Sequence, residues 1–131
     1  MFLHGHGAAA SELADLTSRL DLAPRWTVVV PAGGGRAVDT PGSWFESGPR
    51  GVDAASLDAS AEHLETAIGV LLDRGGFEAA ELVVGGFSQG AAMALVLAAR
   101  GVVRGGRLLV CSGWIPEGPD VDPDLSGAGV E

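Results

Sequence analysis

Val83-Val84-Gly85-Gly86-Phe87-Ser88-Gln89-Gly90-Ala91-Ala92 is the stretch whose reading decides the fold. An apolar run leads into it and a run of small residues leads out, with a G-x-S-x-G pattern, Gly86 to Gly90, between them. That spacing suits a serine on a sharp strand-to-helix turn, its hydroxyl projecting above a sheet. The flanking glycines lack side chains that would clash in so tight a turn. The next N–H, from Gln89, points into the same space and can donate to the negative oxygen that develops during acyl transfer. With 21 glycines in 131 residues, the bare pattern is expected by chance about one time in five. The context therefore carries the reading: Ala91, Ala92 and Ala94 let the following helix sit close to the strand before it.

Outward from this turn, strands and helices alternate. Met1 to His4 reads as the end of a strand. Ser11 to Leu20 reads as a helix with Ser11 as N-cap and Leu13, Leu16 and Leu20 on one face. Trp26 to Val30 is a continuous apolar run, the pattern of a strand covered on both faces. The long Gly- and Pro-rich segment 32–52 reads as a loop. Leu57 to Asp73 follows helical spacing and is stopped by Gly75-Gly76. Glu81 to Gly85 and Arg107 to Cys111 read as strands around a helix from Ala91 to Arg100. The alternation predicts an α/β fold with a parallel sheet and helices on both faces. Residues 1–116 form one domain and 117–131, acidic and without periodicity, read as a disordered tail. With 47% apolar residues but 5% aromatic, the core is expected to rest on Ala, Val and Leu.

Composition narrows the function. The net charge is -9, and the eight Lys and Arg are scattered singly. No basic stripe is available for phosphates or an anionic membrane surface, so neither nucleic acid nor membrane is an expected partner. No stretch has membrane-spanning length. The single cysteine, Cys111, lies in an apolar run and reads as a small buried hydrophobe. It allows no internal disulfide, and no signal peptide is visible, which points to a reducing, cytoplasmic setting. Nucleotide binding through the glycine turns is disfavoured, because no G-K-[ST] follows them and G-x-G-x-x-G is absent. His4 and His6 alternate as a metal pair would, but no nearby Cys or carboxylate completes such a site. No metal or cofactor is implied.

A second glycine segment, Leu3-His4-Gly5-His6-Gly7, follows the opening strand, where this architecture draws its second oxyanion donor; the His6 N–H is the natural candidate. Four segments in order resemble the phospholipase/carboxylesterase family, which includes the acyl-protein thioesterases. They are Leu3 to Gly7, Ser43-Trp44-Phe45, Gly86 to Gly90 with its Phe and Gln, and Ser112-Gly113-Trp114-Ile115-Pro116. The resemblance spans Phe2 to Pro116. It implies a partial α/β-hydrolase fold acting on small ester or thioester substrates. Ser88 would be the nucleophile, the His6 and Gln89 N–H groups the oxyanion hole, and Trp44 and Trp114 residues lining or bordering the acyl pocket.

The chain departs from that family in one respect. The triad there runs Ser, Asp, His, yet no histidine follows Ser88; the three are His4, His6 and His63. His63, on a helix before the nucleophile, reads as solvent-facing, and Asp120, Asp122 and Asp124 read as solvated charge in the tail. Two readings follow. Either the sequence is truncated at both ends, short by on the order of 60 residues at its C-terminus, or it is a non-catalytic relative that keeps the cleft and has lost the base. With nothing after Arg107–Cys111 to pair with it, that strand is expected to be an open edge through which the chain self-associates.

Overall fold

The computed structural model describes residues 1–20, 25–34 and 37–118. Among the described residues nine elements follow one another: β1 (Phe2–Leu3), α1 (Ala10–Arg19), β2 (Ser47–Gly48), β3 (Gly51–Val52), α2 (Ala54–Gly75), a 3-10 turn (Ala79–Glu81), β4 (Val83–Phe87), α3 (Gln89–Ala99) and β5 (Arg107–Cys111). The main sheet is parallel, in the order β1-β4-β5. The strand that leads to Ser88 is therefore central. Both neighbours of β4 in space are distant in sequence, as βαβ crossovers require.

The two faces of β4 differ. A methyl group added to Gly85 would meet Phe2 on β1 and Leu109 on β5, whereas one added to Gly86 would meet Gly90 and Ala91 of α3. α3 therefore covers the face of Leu3, Val84 and Gly86, and its alanines 91, 92 and 94 have no exposed surface. α2 packs against α3 through a buried row, Leu57, Ala61, Leu64 and Ile68. Asp53 caps α2 by accepting from Ser56 N at 2.8 Å. The left-handed Gly76, at φ 64°, ends it where the glycine pair predicted.

Several expectations are corrected. α1 is capped by Ala9, not Ser11, without a side-chain hydrogen bond. Its expected apolar face is mostly outside: Leu16 is 52% exposed and Leu20 is exposed too. Trp26–Val30 is not a strand. One bond, Phe2 N to Val29 O at 2.9 Å, lays it along the side of β1 away from β4, and its side chains are exposed or half-buried rather than covered. The 32–52 loop contains the antiparallel β2–β3 hairpin, to which the Glu117 carbonyl is tied by Val52 N at 2.9 Å. Glu117 is thus part of the fold, while 119–131, with Asp120, Asp122 and Asp124, lies outside the described residues. Cys111 is exposed, because β5 is an edge: among the described residues no strand pairs with its outer side. The core is not purely aliphatic, for its two largest enclosed side chains are Trp44 and Phe45.

Candidate active site

Ser88 joins the last residue of β4 to the first of α3. Its backbone sits at φ 52°, ψ -120°, a region that costs a non-glycine residue on the order of 1–3 kcal/mol and persists only where the surroundings over-determine it. They do so here. Ser88 N donates to Cys111 O at 2.9 Å, and Ser88 O accepts from Ala92 N at 3.0 Å. The motif glycines enforce the turn by close approach. A methyl on Gly86 would collide with the Gly90 backbone, and one on Gly90 would collide with the Leu3 and His4 carbonyl oxygens. The elbow thus locks onto both its own helix and the chain leaving β1.

That chain is the Leu3–Gly7 segment in which an oxyanion donor is expected. A methyl on Gly5 would lie 3.6 Å from Ser88 Cβ, so the loop runs directly beside the nucleophile position. His4 is buried with both ring nitrogens engaged. Gly33 N–H donates to Nε2 at 2.8 Å, which places the ring proton on Nδ1, and Nδ1 donates to Gly5 O at 2.9 Å. The His6 side chain is exposed, with Nδ1 at 3.3 Å from Ser43 Oγ. Among the described residues, neither the His6 nor the Gln89 main-chain N–H is taken by a backbone carbonyl.

The Gln89 side chain has a role that its spacing did not reveal. It is 4% exposed. Its Oε1 accepts from Trp44 N at 2.8 Å, and its Nε2 donates to Phe45 O at 2.8 Å and to Ser43 Oγ at 3.0 Å. The motif glutamine therefore clamps the Ser43-Trp44-Phe45 segment. No local pattern signals this, since the partners are over forty residues away. Trp44 is placed differently from the expectation. It is 1% exposed, and its indole N–H turns inward to His4 O at 2.8 Å. Trp114 is 43% exposed and packs edge-on to Phe45, ring centres 6.2 Å apart. With Ile115, Val52 and Ser47 it lines an open depression of about 580 Å³.

The same loop is braced by Glu46. Its carboxylate accepts from Thr40 N at 2.8 Å, Thr40 Oγ1 at 2.8 Å and Asp39 N at 3.0 Å. The Thr40 backbone bond, then its hydroxyl bond, hold the Glu46 carboxyl below its ordinary range. His63 is exposed on α2, as expected. Among the described residues no imidazole is bonded to Ser88.

A strained serine between a central parallel strand and a close-packed helix, beside a glycine loop with a free N–H, defines an α/β-hydrolase-like site. Comparison with known proteins agrees. The sequence profile of the Phospholipase/Carboxylesterase family matches residues 1–130, and the chain belongs to that family. Among solved structures, a variant of SOBER1 from Arabidopsis thaliana is similar at a TM-score of 0.72 and 19% identity, over 88% of this chain and 61% of that one. A carboxylesterase from Mesorhizobium loti is similar at a TM-score of 0.66 and 25% identity, over 98% of this chain and 60% of that one. The Bacillus cereus carboxylesterase is similar at a TM-score of 0.63 and 22% identity, over 82% and 51%. The chain thus spans about three fifths of the first of these structures. No curated protein matches its sequence. Among the described residues no helix is long and apolar enough to cross a membrane.

Proposed function

We propose that this chain is the nucleophile-bearing portion of a carboxylic-ester hydrolase that acts through an acyl-enzyme on Ser88. The observation that carries the reading is the Ser88 backbone at φ 52°, ψ -120° between β4 and α3. A residue is held in such a conformation only where packing forces it, and this packing serves to present the hydroxyl. Family membership supports the reaction class.

In this mechanism Ser88 Oγ attacks the carbonyl carbon of an ester or thioester. The carbonyl oxygen becomes an oxyanion and takes hydrogen bonds from the Gln89 and His6 N–H groups. Collapse expels the alcohol or thiol and leaves an ester on Ser88, which water then hydrolyses. The depression beside Trp114 and Ile115 receives the acyl side. A serine hydroxyl needs a base to take its proton, and no histidine follows Ser88. On this reading the base is not among the residues that follow Ser88 in the 131-residue sequence.

The test compares two proteins. The 131-residue chain should hydrolyse p-nitrophenyl acetate no faster than background, since loss of the base costs on the order of a millionfold in turnover. The chain extended to its full reading frame should be active, should react with a fluorophosphonate at Ser88, and should lose both properties on Ser88→Ala. An extended chain that carries a downstream Asp and His yet does neither would make the protein a non-catalytic relative.

A further inference from the structure

The surroundings of Trp44 carry an inference that rests on the ester-hydrolase reading and adds to it. The His6 N–H belongs to the peptide unit between Gly5 and His6. That unit is planar, so its N–H and its carbonyl point in opposite directions. Whatever holds Gly5 O therefore aims the His6 N–H. Gly5 O accepts from His4 Nδ1 at 2.9 Å and from Ala8 N at 3.2 Å. Trp44 touches both parts of His4 that govern this bond. Its ring packs on the imidazole, centres 4.9 Å apart and tilted by 36°, and its indole N–H holds the His4 carbonyl at 2.8 Å. Trp44 is in turn anchored through its main-chain N–H to the Gln89 carboxamide. Gln89 supplies the other oxyanion donor. One run of contacts thus joins the two donors: Gln89, Trp44, His4, Gly5, His6.

We propose that Trp44, anchored by the Gln89 side chain, is a positioning residue that aims the His6 N–H at the oxyanion, and that it does not contact the acyl group. Its burial leaves no surface for an acyl chain, and both of its N–H groups are committed within the protein. A preorganised donor acts only where it meets the developing charge, so loosening its aim lowers turnover without weakening ground-state binding.

The experiment uses the chain extended to its full reading frame. Trp44→Phe keeps an aromatic ring and removes the indole N–H. Loss of a whole oxyanion donor costs about a hundred- to a thousandfold in kcat, so loosening one should cost about 10- to 100-fold. KM should stay within about twofold, and the loss should be equal for p-nitrophenyl acetate, butyrate and octanoate. An unchanged kcat, or a loss that grows with chain length, would overturn the proposal; the second result would make Trp44 a pocket wall. A readout independent of turnover is the amide spectrum. Trp44→Phe should shift the His6 and Ala8 signals and speed Ala8 exchange by about fivefold or more, with Ala94 and Leu97 in α3 unmoved. Unmoved His6 and Ala8 signals would overturn the proposal whether or not the protein cleaves esters. If Trp44→Phe does not fold, Gln89→Met keeps the backbone donor and removes the anchor, and should give the same kcat loss at constant KM. A wild-type extended chain that neither cleaves esters nor labels at Ser88 refutes the ester-hydrolase reading instead, and the amide readout still decides the role of Trp44.

Discussion

Beneath Ser88, where α3 packs on β4, polar and apolar groups alike are enclosed, although Phe87 beside it is exposed. Val84, Ala91, Ala92 and Ala94 have no exposed surface, and the Gln89 carboxamide is bonded at both ends. Along α1, the Trp26–Val30 segment and the outer side of β5, by contrast, large apolar side chains stand open: Leu16, Leu20, Trp26, Leu109 and Val110 are all exposed. At the N-terminal ends of the strands, away from Ser88, an apolar hollow of about 540 Å³ lies between Phe2, Trp26, Leu72, Phe77 and Val83. The elbow is complete within these residues, while the periphery keeps surface whose burial would still lower the free energy. Between β4 and β5 the side chains are alike in character, and what differs is the neighbours.

If the contrast is real, substitutions at the elbow should cost far more than chemically larger ones at the periphery. Gly90→Ala should do most damage. Its methyl would meet two backbone carbonyl oxygens that cannot swing away, and a loss of about 3 kcal/mol or more in urea unfolding is expected. A loss below about 1 kcal/mol would mean that β1 and α3 can part easily and that the elbow is not locked. Gln89→Leu comes next. It leaves the Trp44 N–H buried without its acceptor, while the Phe45 carbonyl keeps the Ser43 hydroxyl as donor, at about 1–3 kcal/mol, read from the same denaturation.

These two residues also mark where the sequence was legible. Gly90 was readable because a strand-to-helix turn is a local device and its glycine requirement is written at fixed offsets. The row of α2 and its Gly76 stop were readable for the same reason. The Gln89 clamp was not, since its partners at 43 to 45 meet it only after folding. Cys111 and Trp26–Val30 failed differently. An apolar run states a preference for burial, but burial depends on having a neighbour, and β5 has none on its outer side among the described residues. In the hairpin, Gly48-Pro49-Arg50-Gly51 carries a turn signal, with Gly51 at φ 98°, but the surrounding Gly- and Pro-rich segment masks it. Trp44 was matched to the right loop by resemblance, yet only the indole bond to His4 shows which way it faces.

Smaller effects sharpen the contrast further. Ser88→Gly removes a side chain from a left-handed backbone and should stabilise the fold by up to about 1 kcal/mol while abolishing fluorophosphonate labelling. A destabilisation of several kcal/mol would make Ser88 a structural residue and remove the basis of the proposed function. Glu46 offers a pH axis. Its carboxyl is held below the ordinary value of 4.5 in the fold. Its contribution is therefore fully present above that value and is lost as pH falls through the lower folded value. Glu46→Gln should flatten the acid side of a stability-against-pH curve below about pH 4.5 and leave the neutral side parallel. The smallest change belongs to the periphery. Leu109→Lys should alter stability by no more than about 0.5 kcal/mol, yet it should shift the 131-residue chain towards monomer in size-exclusion chromatography by charging an open edge. A wild-type chain already monomeric at high concentration would show that β5 is not adhesive.

The contact of Gly86 with Gly90 and of Gly90 with the strand-end carbonyls separates two selective pressures that the motif usually hides. The glycines answer to folding, and on the proposed function the serine between them answers to chemistry. A lineage that abandoned catalysis could exchange Ser88 for glycine or another residue that tolerates its positive φ, but would keep both flanking glycines, or lose the domain. In genomes, then, the two glycines report that this fold is intact, and only the residue at position 88, together with a base to serve it, reports that the fold is still employed.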